Sequence, residues 1–62
     1  MLYNVYIRHN DGSLQSFNKL TEKRAKELKK KYRRAFMNLL IDAIEVTDEN
    51  RQVVYSIQVS KR

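Results

Sequence analysis

The sequence predicts an α+β fold in which the elements follow the order β-β-α-β-β, with one amphipathic helix on one face of a four-stranded, mostly antiparallel sheet. Three observations support this. Apolar and polar residues alternate with period two near both ends of the chain, as in strands that bury one face. A helical pattern with a single apolar stripe separates the two ends. Gly12, the only glycine in the chain, follows Asp11 and divides the first alternating segment at a turn.

A β-hairpin is predicted around Asp11-Gly12, because a type I′ turn needs positive φ at both central residues and this pair favours it. The two strands cover residues 3–8 and 14–20. With a two-residue turn, Tyr6 lies opposite Phe17. One face of the hairpin is then formed by Tyr3, Val5, Ile7 and Leu14, and the other by Tyr6, Arg8, Gln15 and Phe17. A longer turn would shift the register and exchange these faces.

The helix is predicted to begin after Thr21, whose side chain can cap the first turn, with Glu22 at the positive end of the helix dipole. Its apolar stripe is formed by Ala25, Leu28, Tyr32, Ala35, Phe36 and Leu39. The opposite face carries five cations, called the basic ridge below: Lys23, Lys26, Lys30, Arg33 and Arg34. Two i, i+4 ion pairs, each worth a few tenths of a kcal/mol, are expected at Glu22–Lys26 and Glu27–Lys31.

A second hairpin is predicted in the last third of the chain. Residues 41–47 are apolar and β-branched, and residues 53–59 alternate again. The turn is Asp48-Glu49-Asn50-Arg51, in which Asn50 is expected to adopt the left-handed conformation. A frayed basic tail is expected at Lys61 and Arg62. The aromatic residues expected to lie in the core are Tyr3, Tyr32, Phe36 and Tyr55.

Size and composition indicate a single globular domain over residues 1–62, with 42% hydrophobic and 32% charged residues. The chain has no cysteine, so the fold depends on packing and backbone hydrogen bonds, without disulfides or thiolate metal sites. No signal peptide is recognisable, and no apolar run approaches the roughly 20 residues that span a bilayer. We therefore expect a cytoplasmic protein without a membrane partner.

The positive charge of the chain is confined to one segment. Residues 22–34 contain eight of the 13 basic residues and two of the seven acidic ones, which gives a net charge of +6. The remaining residues balance at five of each sign, so the whole chain also carries +6. Such a concentration predicts an anionic partner but does not identify it.

Catalysis is not expected from this sequence. His9, Asp11 and Ser13 lie close together along the chain, but a nucleophilic triad also needs an oriented base and an oxyanion hole in a formed pocket. One glycine cannot build a phosphate loop. The acidic residues of the second hairpin suit a solubilising rim better than a metal site: Asp42, Glu45, Asp48 and Glu49. We expect no enzyme activity, no cofactor and no metal.

Three interpretations of the basic ridge remain open. It is a solvated helix face, a surface that docks on nucleic acid phosphates, or a surface that binds an acidic protein. Sequence-specific reading of bases is not favoured, because the ridge lacks Asn and Gln. A second candidate contact is the open sheet face with Tyr6, Arg8 and Phe17, which could stack bases, form the centre of a protein interface, or be covered in a homodimer.

Several segments carry a resemblance to a known group of proteins: Tyr3-Asn4-Val5-Tyr6-Ile7, Asp11-Gly12-Ser13, Leu20-Thr21-Glu22-Lys23-Arg24-Ala25, Ile44-Glu45-Val46-Thr47-Asp48-Glu49-Asn50 and Val53-Val54-Tyr55. This layout resembles the small β-β-α-β-β accessory proteins of bacteriophages and mobile elements, some of which are anti-CRISPR proteins. The resemblance implies a non-enzymatic binder of a host complex in the host cytoplasm. It extends to architecture and carries over no functional residue. Glycine is common in those proteins where Arg51 stands here.

The leading expectation is therefore a phage-type binding protein that inhibits or modulates a host nucleoprotein complex through the basic ridge. The first alternative is a direct, largely sequence-non-specific nucleic-acid-binding protein that uses the same ridge. The second is a structural homodimer, in which the charge of the helix serves only solubility.

Overall fold

The computed structural model describes residues 1–59, so the predicted tail at Lys61 and Arg62 lies outside the described residues. The elements occur in the predicted order: β1 (Tyr3–His9), β2 (Leu14–Leu20), α1 (Glu22–Met37), β3 (Ile41–Asp48) and β4 (Val53–Gln58). All strand pairs are antiparallel, and the spatial order is β2-β1-β3-β4. The predicted α+β fold with one helix on a four-stranded sheet is confirmed.

The core lies between α1 and the two central strands, β1 and β3. Its buried apolar residues are Val5, Ile7, Ala25, Leu28, Ile41, Ile44 and Val46. The aromatic residues predicted for the core pack against this cluster but stay half-buried: Tyr3, Tyr32, Phe36 and Tyr55. Burying one aliphatic side chain contributes about 1.5–3 kcal/mol, so a core of seven small and medium residues is thin. The aromatic rings form its border with water.

The first hairpin has a three-residue loop instead of the predicted two-residue turn. The N–H of His9 donates to the carbonyl of Ser13 at 2.9 Å, and the N–H of Gly12 donates to the carbonyl of His9 at 3.0 Å. Gly12 has φ +92°, the left-handed residue that typically follows a type I turn in such loops. The Asp11 carboxylate accepts from the N–H of Ser13 at 2.9 Å, and this bond holds the pKa of Asp11 below its ordinary value.

This longer loop shifts the register of β2 by one residue, so the predicted facing of β2 was wrong. Val5 lies opposite Phe17, and Tyr6 opposite Ser16. Phe17 therefore faces the helix, where its ring centroid lies 6.0 Å from that of Tyr32. Leu14 is on the open face and is 78% exposed. Successive side chains of a strand point to opposite faces, so a slip of one residue moves every side chain of β2 to the other side.

The second hairpin repeats the same loop. The N–H of Asp48 donates to the carbonyl of Gln52, and the N–H of Arg51 donates to the carbonyl of Asp48, both at 3.0 Å. The Asp48 carboxylate accepts from the N–H groups of Asn50 at 2.8 Å and Gln52 at 3.0 Å. The prediction that Asn50 is left-handed was wrong, since Arg51 has φ +62°. In this loop the hydrogen bonds, not the preference of the side chain, select the residue that takes positive φ.

Both ends of α1 are capped. Thr21 is confirmed as the N-cap, because its Oγ1 accepts from the N–H of Arg24 at 3.3 Å. At the other end the N–H of Leu40 donates to the carbonyl of Ala35 at 3.0 Å, and the N–H of Leu39 donates to the carbonyl of Phe36 at 3.1 Å. These two bonds define a Schellman motif. Leu39 has φ +63° at the position that glycine usually occupies.

The predicted apolar stripe is therefore one residue too long. It ends within the helix at Phe36, and Leu39 lies beyond the last helical residue, Met37. The side chain of Leu39 is 75% exposed instead of packed on the sheet. The left-handed turn of the cap breaks the helical period, and this redirects the side chain away from the core.

The register of the first hairpin is tested by two alanine substitutions. We expect Phe17→Ala to lower the free energy of unfolding by about 2 kcal/mol, because its ring packs on Tyr32 beneath the helix. Leu14→Ala should change it by less than about 0.5 kcal/mol, because Leu14 is exposed. Urea unfolding followed by circular dichroism measures both values. A larger loss of stability for Leu14→Ala than for Phe17→Ala would support the two-residue turn predicted from the sequence.

The positive φ values predict which residues prefer glycine. A left-handed conformation costs a residue with a side chain about 1–2 kcal/mol. Glycine avoids this cost but loses more conformational entropy on folding, so the net gain from a substitution to glycine is smaller. We expect Arg51→Gly and Leu39→Gly each to raise the free energy of unfolding by about 0.5–1 kcal/mol. Gly12→Ala should lower it by about 1 kcal/mol, although no atom lies within 4 Å of the added Cβ. Thermal and urea unfolding measure these changes, and destabilisation by either glycine would contradict the assigned conformations.

Candidate functional site

The basic ridge forms the outer face of α1. All of its side chains are exposed: Lys23, Lys26, Lys30, Arg33 and Arg34. Ala25 and Leu28, on the other side of the helix, are buried against the sheet. The predicted outward orientation of the ridge is therefore confirmed. The rise of an α-helix places its two ends about 16 Å apart, which is long enough to meet several anionic groups of a partner at once.

Two carboxylates of the helix pair with neighbouring cations. Lys26 Nζ lies 3.4 Å from Glu22 Oε2, which confirms the first predicted pair. The second predicted pair, Glu27–Lys31, is not the one that forms, because Glu27 Oε1 accepts from Arg24 Nη1 at 3.4 Å. All of these paired side chains are more than half exposed, so each pair contributes at most about 1 kcal/mol. Within residues 1–59, the other four ridge residues form no ion pair with a carboxylate: Lys23, Lys30, Arg33 and Arg34.

Two further lysines of α1 lie over aromatic rings. Lys29 Nζ is 4.6 Å from the centroid of Tyr55, and Lys31 Nζ is 5.7 Å from that of Tyr32. Such cation–π contacts contribute about 0.5–1 kcal/mol at exposed sites. They also explain the altered ion pairing, since Lys31 lies toward Tyr32 and leaves Glu27 to Arg24. These lysines cover the border of the core and are distinct from the ridge.

Three acidic residues of the second hairpin lie away from the ridge: Glu45, Asp48 and Glu49. The carboxylate of Asp48 caps the second hairpin loop. Glu49 accepts a hydrogen bond from the N–H of Leu2 and lies 3.9 Å from the N-terminal ammonium group. Glu45 lies opposite Tyr6 on the open face of the sheet, which is the side without the helix. The positive potential of the ridge is therefore not cancelled by these three carboxylates.

Of the second candidate contact, Tyr6 and Arg8 share the open face of the sheet as predicted, but Phe17 does not join them. Phe17 lies on the helix side of the sheet because of the shifted register. Tyr6 is 40% exposed on the open face, and Arg8 is half-buried beside it. The neighbours of Tyr6 across the strands are Ser16 and Glu45. A single ring beside a carboxylate is a poor platform for stacking nucleic acid bases, whose backbone is also negative.

The structure reveals exposed apolar side chains that the sequence interpretation missed. They lie at the C-terminal end of α1 and are called the apolar tip below: Met37, Leu39 and Leu40, which are 71%, 75% and 58% exposed. Met37 lines one surface depression together with Lys30, Arg33 and Arg34, so the tip is continuous with the ridge. Asn38 was the available signal: a helix that stops at this residue places both leucines outside the apolar stripe.

Comparison with known proteins does not assign a family. The chain matches no protein-family model, no curated protein and no solved structure. Within residues 1–59, no helix is both long and apolar enough to cross a membrane.

The crowding of positive charge predicts that the ridge lowers stability. Lys30 has three cations at i−4, i+3 and i+4, which are Lys26, Arg33 and Arg34, and one anion at i−3, which is Glu27. Like charges at these spacings destabilise a helix by about 0.2–0.5 kcal/mol per pair, so the three repulsions outweigh the one attraction. We expect Lys30→Glu to raise the free energy of unfolding by about 0.5–1 kcal/mol at low salt.

Lys30→Gln is the matched control, because it removes the charge without reversing it and should give roughly half of the gain. Both gains should shrink in about 1 M salt, where the Debye length falls to about 3 Å. Urea unfolding at two salt concentrations measures them. A loss of stability at low salt would show that Lys30 is held by an attractive partner.

Proposed function

We propose that this chain is a non-enzymatic binding protein that docks its basic ridge on the anionic surface of a host nucleoprotein complex and thereby inhibits or modulates that complex. The observation that carries the proposal is the confinement of the net charge to one exposed helix face. Four of the five ridge cations have no carboxylate partner within residues 1–59. The rest of the chain is electrically balanced.

The ridge is expected to destabilise the helix through repulsion among its cations, and this supports a role in binding over a role in solubility. Mixed charges keep a helix face soluble without the repulsion that a row of like charges creates. The fold does not need the ridge either, because Ala25 and Leu28 supply the buried contact of this helix. A feature that opposes local stability and serves no packing role is expected where function requires it.

The sign of the charge indicates how such a protein would act. A nucleic-acid channel is itself positively charged, so it would repel the ridge, and the protein is not a nucleic acid mimic. The ridge would instead engage an acidic protein surface, or nucleic acid that the complex already holds. In either case the charge accelerates encounter and sets orientation, and obstruction of the complex needs no catalytic group. The resemblance to phage accessory proteins favours an anti-defence role of the anti-CRISPR type in the host cytoplasm.

A direct nucleic-acid-binding protein is the second candidate function. The same unpaired lysines and arginines favour it, because they are the side chains that contact phosphates. Binding of this kind would be largely independent of sequence, since the ridge contains no Asn or Gln that could read a base edge. Its affinity would also fall steeply with salt as counterions are released.

Two double charge reversals test the proposal. In the first, Lys30→Glu and Arg33→Glu change the ridge. In the matched control, Lys19→Glu and Arg51→Glu change two exposed cations outside the helix and alter the net charge by the same amount. We expect the ridge variant to lose binding to its target at least about tenfold, and the control to retain it within about twofold. Equal losses in both variants would show that only net charge matters, and the proposed docking face would be wrong.

The choice of target separates the two candidate functions. Affinity for a random DNA duplex is measured at two salt concentrations, beside co-purification with nucleoprotein complexes from a nuclease-treated host lysate. Tight duplex binding, with a salt slope that falls by about 2 in the ridge variant, favours the second candidate. Nuclease-resistant co-purification that the ridge variant loses and the control keeps favours the first. Binding to neither target would contradict both.

A further inference from the structure

The apolar tip presents three large aliphatic side chains to water within four consecutive residues. Met37 and Leu39 are each more than 70% exposed, and Leu40 is 58% exposed. Single exposed apolar residues are ordinary on protein surfaces, but a contiguous patch bordered by charge typically marks an interaction site. The border here is the C-terminal half of the basic ridge, because Met37 shares its surface depression with Lys30, Arg33 and Arg34.

Leu39 is unfavourable in this position for two independent reasons. Its φ of +63° is a conformation that glycine or asparagine adopts at lower cost at the end of a helix. Its side chain also gains little from burial, since three quarters of it is exposed. The folded chain would be more stable with glycine here. Leucine at this position neither suits the backbone conformation nor packs in the core, and its presence is explained if a partner buries its side chain.

The backbone of the tip is held in place, so the exposure does not result from a loose chain end. The N–H groups of Leu39 and Leu40 donate to Phe36 and Ala35 in the Schellman motif. Asn10, in the loop of the first hairpin, donates from Nδ2 to the carbonyl of Leu39 at 3.2 Å. The tip is thus attached both to the helix and to the loop of the first hairpin. A preformed apolar projection of this kind lowers the entropic cost of binding a complementary pocket.

Charge and chemistry together select the occupant of this surface. Nucleic acid phosphates offer no apolar surface to the tip. A second copy of the chain would bring two ridges of the same sign together, and like charges across an interface cost several kcal/mol. A bilayer would accept the aliphatic side chains but does not require a fixed backbone. An acidic protein surface with an apolar pocket complements both parts at once.

We infer that ridge and tip form one docking site for an acidic protein surface, and that Leu39 inserts into an apolar pocket of that surface. The inference rests on the proposed function and deepens it, because it assigns the contact to the protein component of the nucleoprotein complex. The ridge supplies encounter rate and orientation. The tip supplies affinity that persists when salt screens the ridge, as buried anchors do at the centres of interfaces.

Two acidic polymers serve as defined probes. Polyglutamate offers carboxylates alone, whereas a random copolymer of glutamate and tyrosine offers carboxylates with apolar side chains. At high salt we expect the protein to bind the copolymer at least about tenfold more tightly than polyglutamate, because only the copolymer can bury the tip. Fluorescence anisotropy with labelled polymers measures both affinities.

Matched variants separate the effect of the tip on binding from the effect of a glycine substitution on stability. Leu39→Gly and Arg51→Gly relieve similar left-handed positions, so both should raise stability, but Leu39→Gly alone should lose the preference for the copolymer. Leu39→Asn, which also favours the left-handed conformation, should lose it as well. Equal affinity of the unmodified protein for the two polymers would overturn the inference. So would equal behaviour of Leu39→Gly and Arg51→Gly.

Other occupants give different results. Leu39-dependent binding to phosphatidylserine–phosphatidylcholine vesicles without any copolymer preference would replace the protein partner with a bilayer. Leu39-dependent dimerisation in sedimentation would replace it with a second copy. A failure of the inference is distinguishable from a failure of the proposed function. In the first case both polymers bind equally and depend on Lys30 and Arg33, and in the second case neither polymer nor a DNA duplex binds even at low salt.

Discussion

The packing of one helix on two central strands is the constraint on which the other features of this protein depend. α1 buries Ala25 and Leu28 over β1 and β3, and within residues 1–59 the sheet is the only layer it packs against. A helix covered on one side has an opposite side that must suit water, and this leaves room for a dense row of cations. The same thin layer leaves aromatic rings at its border, where Lys29 and Lys31 cover Tyr55 and Tyr32.

The features proposed to bind a partner are also the ones expected to lower stability. The repulsion along the ridge and the left-handed Leu39 both lower the free energy of unfolding. A core of seven buried apolar residues supplies only a small net stability to offset these effects. The two unfavourable features meet at the C-terminal end of α1, where Met37 adjoins Arg33 and Arg34. Their coincidence in one place is more informative than either alone. A charged surface alone leaves the class of anionic partner open, and the adjoining apolar surface is the reason for proposing an acidic protein surface.

The two hairpins show how loop hydrogen bonds override local preference. Gly12 and Arg51 occupy the same position in loops of the same pattern, although only glycine is suited to positive φ. In each loop an aspartate carboxylate accepts backbone hydrogen bonds: Asp11 from the N–H of Ser13, and Asp48 from the N–H groups of Asn50 and Gln52. These carboxylates stabilise a three-residue loop, whereas Asp-Gly considered alone favours a two-residue turn. The loop length then decides the facing of β2 and removes Phe17 from the open face.

Patterns along the chain were sufficient to predict the order of the elements, the Thr21 cap and the outward direction of the basic ridge. These follow from periodicity and capping, which involve residues that are neighbours along one helix or strand. The same patterns did not predict that Phe17 faces the helix or that Leu39 faces water, and both became clear from the folded chain. Both outcomes depend on where a loop or helix ends. The bond from Ser13 to the Asp11 carboxylate supports the longer loop, and the Schellman motif ends the helix, with an added bond from Asn10 to Leu39. Side-chain direction reverses with a shift of one residue, so a small error in a boundary becomes a complete error in facing.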